Sequence, residues 1–213
     1  MRPSLQLTRL EATALSYISF LRAQAVSALP NGHGPNDRVL PFVVVEAHNT
    51  WALFVRSFYL SCVFSAKRRN GAIVTSIIPT PRNTVTAIDR AMRLLKPTAR
   101  GGVPWPRRDE PPWQALGTIL QLARSFRFSN FAEISTALSY PTSAFPHLRD
   151  CRHFFSHRNE ETMRVALSHS RSYGLVGLRH PKELLRAVAI GRPQAVVLDW
   201  LDDISNIMAL MCD

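Results

Sequence analysis

Apolar residues recur at three- and four-residue steps along most of this chain, which is the period of an amphipathic helix. Leu7, Leu10, Ala14, Tyr17, Ile18 and Leu21 form the first stripe, and the breaker cluster Pro30-Asn31-Gly32 ends it. A second, longer period runs from Pro41 to Arg69, with Trp51, Phe54, Val55, Phe58 and Cys62 on the apolar side. Pro41 suits a first helical turn. Lys67, Arg68 and Arg69 then place cations at the expected C-terminal end, where the helix dipole favours them.

Asn83 or Thr84 opens a shorter helix that runs to Leu95 and stops before Pro97. Lys96 to Pro112 reads as a loop rich in Pro and Gly, with Asp109 placed to cap a helix from Pro112 to Phe126. Ser129 with Glu133 suggests another start, running to Tyr140. After Pro141 and Pro146 a long helix is expected from Phe145 to Tyr173, ended by Gly174 and Gly177. Pro181 to Ala189 reads as a short helix. Arg192 to Met211 reads as a last amphipathic one, with Val196, Val197, Trp200, Leu201, Ile204, Ile207 and Met208 inward. No segment alternates like a strand, so the expected fold is a single all-α domain. It is an up-and-down bundle over residues 1–213 with one Pro-rich loop inserted at 96–112.

Charge changes this picture. The net charge of +11 favours a polyanionic partner. Only Lys67, Lys96 and Lys182 are lysine among 26 basic residues, so 23 are arginine. Arginine-rich codon usage accounts for part of that bias but not for the surplus charge. Cys62, Cys151 and Cys212 are an odd set without CxxC spacing, as in a reduced, intracellular protein. The first residues lack a signal-peptide pattern, and Pro41, Glu46, His48, Asn49 and Arg56 interrupt the most apolar stretch. These features lead us to expect a soluble, cytoplasmic chain with no membrane partner.

The stretch Arg152-His153-Phe154-Phe155-Ser156-His157 carries the candidate chemistry. An arginine clamps phosphate through paired N–H groups, and a histidine moves protons near neutral pH. His153 and His157 share a helix face, with Arg149 one turn earlier, whereas Arg152 and His157 diverge by about 140°. Cleavage of RNA by its own 2′-OH needs a base, stabilisation of the charged phosphorane and an acid. His157 suits the acid or base and Arg152 the charge stabiliser, with His153 assisting. Convergence requires a bent arginine or two copies of the helix across a two-fold axis. Arg149 and Arg158 flank the motif as RNA contacts, and Trp105, Arg107 and Arg108 form a second set suited to stacking and phosphate contact. Glu46, His48 and Asn49 are polar positions in an apolar helix, either lining a cleft against the motif helix or lying on its outer face.

Arg152-x4-His157, with a polar residue directly after the arginine, resembles the Arg-x4–6-His motif of HEPN-superfamily ribonucleases. The flanking stretch from Leu148 to Glu161 is similar to the motif helix of bacterial members, and Glu46 to Phe54 is similar to a partner helix in some of them. The resemblance covers Pro41 to Arg69 and Ser143 to Tyr173. It implies an all-α bundle, often a homodimer with the motif at its cleft. It also implies metal-independent endoribonuclease activity without a cofactor, in toxin–antitoxin or anti-phage defence systems with a partner protein. The tyrosine often found two positions after the motif histidine is replaced here by Asn159, which does not support a tyrosine-modification switch. The alternatives are a non-catalytic HEPN-like module binding RNA or protein, and a helical DNA-binding protein. A third is metal binding by His153 and His157, with Glu161 another four residues along.

Overall fold

The computed structural model describes residues 1–30, 38–95 and 109–213. Among them the fold is all-α. Nine helices run in the order α1 (Leu7–Ala28), α2 (Val39–Val63), α3 (Thr84–Leu95), α4 (Leu116–Ser125), α5 (Phe131–Leu138), α6 (Ala144–His157), α7 (Glu160–Ser168), α8 (Pro181–Arg186) and α9 (Val196–Cys212). A 3₁₀ turn, His169–Tyr173, follows α7. Extended pairing among the described residues is limited to isolated bridges such as Lys67 with Gln6 and Ile73.

The described residues form two compact units, and α1, α2 and α9 each supply a stretch to both. The first comprises Met1–Leu15, Trp51–Tyr140 and Ile207–Asp213. Its core is aromatic. Tyr59 is fully buried, lies 5.4 Å from the Trp113 ring and 6.1 Å from that of Phe126, and its hydroxyl donates to Ala87 O at 2.7 Å. Arg56 grips Glu110 with two bonds of 2.7 and 3.0 Å, and Glu110 also accepts from the Trp113 indole at 2.8 Å.

The basic triplet at 67–69 does not extend α2, contrary to the sequence pattern. Ser65 takes a left-handed conformation (φ 60°), Ala66 N–H bonds to Ser61 O at 2.9 Å, and Ser65 N–H bonds to Cys62 O at 3.1 Å. That is a Schellman closure, which satisfies carbonyls the helix would otherwise orphan. Arg68 instead pairs with Glu133, and Arg69 with Glu11 and Asp213. Two expected caps also fall elsewhere. Ala115, not Asp109, precedes α4, and Asn130, not Ser129, precedes α5.

The second unit comprises Ser16–Thr50 and Pro141–Asn206. Ile18, Leu21, Val43, Val44, Ala47, Leu148, Cys151, Trp200 and Leu201 are buried in it. Tyr17, expected on the buried stripe, is 37% exposed, and its hydroxyl donates to Glu46 at 3.0 Å. The long helix expected from Phe145 to Tyr173 is divided. Arg158 adopts a left-handed conformation (φ 49°), closing α6 with an N–H bond to Phe154 O at 2.7 Å. Asn159 then caps α7, its side chain accepting from Thr162 N–H at 2.8 Å, ahead of Glu160 and Glu161 in the first turn. Acidic residues there suit the positive end of the helix dipole.

Candidate functional site

Helix α6 buries Ala144, Phe145, His147, Leu148, Cys151 and Phe154. The intervening positions carry Arg152, His153 and His157. Phe155, next to the buried Phe154, is only half-buried. His153 and His157 are exposed one turn apart, and their ring centroids lie 4.4 Å from each other. Asp150 continues the same ridge one turn before His153, because positions i, i+3 and i+7 align on a helix. Arg149 and Arg158 are exposed on either side of the motif.

Arg152 lies away from that ridge. It is half-buried, and its Nε has no hydrogen-bond partner among the described residues. His48 on α2 shares its environment. Both ring nitrogens of His48 are buried without a partner among the described residues, and burial, with the positive charges of Arg152 and Arg149, lowers its pKa to about 4. Arg149 and Arg152 are three apart, so one face of α6 acts on His48. Glu46 and Asn49 are tied to each other at 3.2 Å, and Glu46 also accepts from Tyr17. Within the chain, Arg152 and His157 share no hydrogen bond among the described residues, as their angular separation on the helix dictates. Glu161, the third position of the metal alternative, lies beyond the Arg158 break and pairs with Arg164 at 2.7 Å. Among the described residues, no three His, Cys, Asp or Glu side chains group to hold a metal ion. Trp105, Arg107 and Arg108 lie outside the described residues.

A second cluster, which the sequence pattern did not reveal, is built where the 3₁₀ turn meets α6. His169 Nε2 bonds to Asp150 Oδ2 at 2.9 Å, and Arg149 Nε donates to Asp150 Oδ1 at 2.8 Å. Burial pushes the Asp150 carboxyl up, but the bonds and charges of Arg149 and His169 outweigh it and hold the group below its ordinary value. The His169 ring lies against that of His147 with centroids 3.9 Å apart. His147 Nδ1 meets the Tyr173 hydroxyl at 2.6 Å, and the Trp200 indole N–H donates to the same oxygen at 2.7 Å.

An indole N–H only donates. The Tyr173 oxygen therefore accepts from Trp200, and its own proton is available to His147 Nδ1 at 2.6 Å or to the Ser143 hydroxyl at 3.4 Å. Burial, reinforced by His169 and opposed by Asp150, lowers His147 to about 4, consistent with an acceptor nitrogen there. Burial raises the Tyr173 phenol. Asp150 and His169 stand 19 positions apart, and His147 and Tyr173 stand 26 apart. Only the reversal of the chain after α6 joins them.

No family model, curated protein or solved structure matches this chain.

Proposed function

We propose that this protein cuts RNA without a metal, by attack of a 2′-OH on its own phosphodiester, in the manner of HEPN ribonucleases. The observation that carries the reading is the exposed imidazole pair His153 and His157 at the end of α6, 4.4 Å apart and flanked by the exposed Arg149 and Arg158. Histidines supply proton transfer, and arginines hold the phosphate backbone. The all-α fold and the net charge of +11 agree with it. The family resemblance offers toxin–antitoxin or anti-phage defence as the setting.

The inward Nε of Arg152 favours a second reading, a module of the same kind that binds RNA without cutting it. One experiment separates them. Purified protein is incubated with single-stranded RNA in EDTA, alongside Arg152→Ala and His157→Ala. Cleavage by the parent, lost in both variants while circular dichroism stays helical, is expected. A mobility shift without shortening selects the binding module, and full cleavage by both variants rejects the ribonuclease site.

A further inference from the structure

We propose that His169, held by Asp150, is the second proton-transfer group of the α6 site, serving the opposite end of the phosphodiester from His157. This rests on the ribonuclease reading above and names a residue that the motif does not contain.

The reaction sets the requirement. A base removes the 2′-OH proton as O2′ bonds to phosphorus. The P–O5′ bond breaks, and an acid gives O5′ a proton, leaving a 2′,3′-cyclic phosphate and a free 5′-hydroxyl. In-line displacement puts O2′ and O5′ on opposite sides of phosphorus, so the nitrogens that serve them stand well apart, at most about 9 Å. His153 and His157 stand side by side, with ring centroids 4.4 Å apart, and are assigned to one end of that geometry. Asp150 lies seven residues before His157 on the same ridge, about 10 Å along the helix axis. His169 is bonded to Asp150 at 2.9 Å, so a further imidazole is held at the far end of that stretch of the helix.

The cluster is arranged for the task. Asp150 remains a carboxylate, fixed on its other oxygen by Arg149, and takes the Nε2 proton of His169 in a hydrogen bond. That leaves Nδ1 as the nitrogen that exchanges a proton, the orienter-and-base arrangement of a catalytic histidine. His147 stays neutral against the His169 ring, held there by Tyr173 and Trp200, so it places no like charge against a proton on His169. His169 and Asp150 keep side-chain exposures of 18% and 14%, enough for contact at the surface without full solvation. His153, beside His157, faces a non-bridging oxygen. Acid and base then come from one chain, and no second copy is required for proton transfer.

The test is single-turnover cleavage of a defined single-stranded RNA between pH 5 and 9. It compares the parent, His157→Ala, His169→Gln and Asp150→Asn, each checked by circular dichroism. His169→Gln keeps a donor for Asp150 and is expected to slow cleavage about 100-fold or more, with one limb of the pH profile lost. Asp150→Asn is expected to slow it less and to shift the same limb, as a positioning residue does. RNA carrying sulfur in place of O5′ at the mapped cut site needs no acid. It should restore one of His157→Ala and His169→Gln and not the other. If His157→Ala is dead while His169→Gln keeps the parental rate and both limbs, the inference is overturned and the ribonuclease reading stands. Rescue of both variants or of neither also overturns the inference. Should His169→Gln lose its helical spectrum, an unchanged pH profile in Asp150→Asn overturns it instead. An inactive parent, or full activity in His157→Ala and Arg152→Ala, removes the reading beneath it.

Discussion

The imidazoles of His147 and His169 lie 3.9 Å apart, centroid to centroid, with 30° between their planes. Two unit charges about 4 Å apart repel by about 4 kcal/mol at an effective dielectric constant of 20. That repulsion adds to burial in keeping His147 neutral, while Asp150 is hydrogen-bonded to His169.

Acid is expected to destabilise the fold well above the carboxylate range. Burial holds His147 and His48 neutral down to about 4. The unfolded chain protonates the same rings near 6.5, so between the two values it binds more protons than the native state. Stability is thus complete above pH 6.5 and falls as the pH drops toward 4. Each ring contributes at most about 3 kcal/mol to the loss. Urea midpoints at pH 7.5 and 4.5 measure it, and His147→Phe should flatten the difference. An equal midpoint at both pH values in the parent chain contradicts this linkage.

Tyr173→Phe removes one oxygen that serves both the Trp200 indole and His147 Nδ1. Both partners are then left buried and unpaired, for an expected cost of about 2 kcal/mol or more. A fall in urea midpoint with an unchanged slope is the expected record. A change below about 0.5 kcal/mol shows that the network adds nothing beyond packing.

The junction between α6 and α7 separates fold from binding. Arg158 is left-handed (φ 49°), so Arg158→Gly relieves backbone strain and is expected to leave the melting temperature unchanged or slightly higher. Asn159→Ala deletes the α7 cap and is expected to cost about 1 kcal/mol. If Arg158 touches phosphate, the glycine variant weakens RNA binding despite its intact fold.

Salt supplies a further check. Removing one arginine from a phosphate lowers the slope of log K against log salt by about 0.7 on a single strand. Arg149→Ala and Arg158→Ala should each flatten the slope by about that amount. An unchanged slope places RNA elsewhere on the surface. Because Arg149 also holds Asp150, its variant should disturb cleavage more than binding.

Much of the helical frame was legible because burial repeats with the helical period. Leu7, Leu10, Ala14, Ile18 and Leu21 are all buried along α1, and that helix stops at Ala28, just before Pro30. The division after His157 departs from the helical period because the left-handed residue is arginine rather than glycine. Its signal was nonetheless present, since Asn159 followed by Glu160 and Glu161 is the composition of a helix start. His153 and His157 sharing a face follows from spacing alone. That Arg152 acts on His48 of α2 depends on tertiary placement, and the pairing of His169 with Asp150 depends on the turn after α7. A one-dimensional period encodes neither of them.

The three thiols have a practical consequence. Cys62, Cys151 and Cys212 are free and buried, and burial pushes the first two up to about 12 and Cys212 well above its ordinary value. Such thiols resist alkylation until the surrounding structure opens. Cys62 and Cys212 belong to one unit and Cys151, between Asp150 and Arg152, to the other. Their labelling rates are built-in clocks, timing separately how often each half of the molecule breathes.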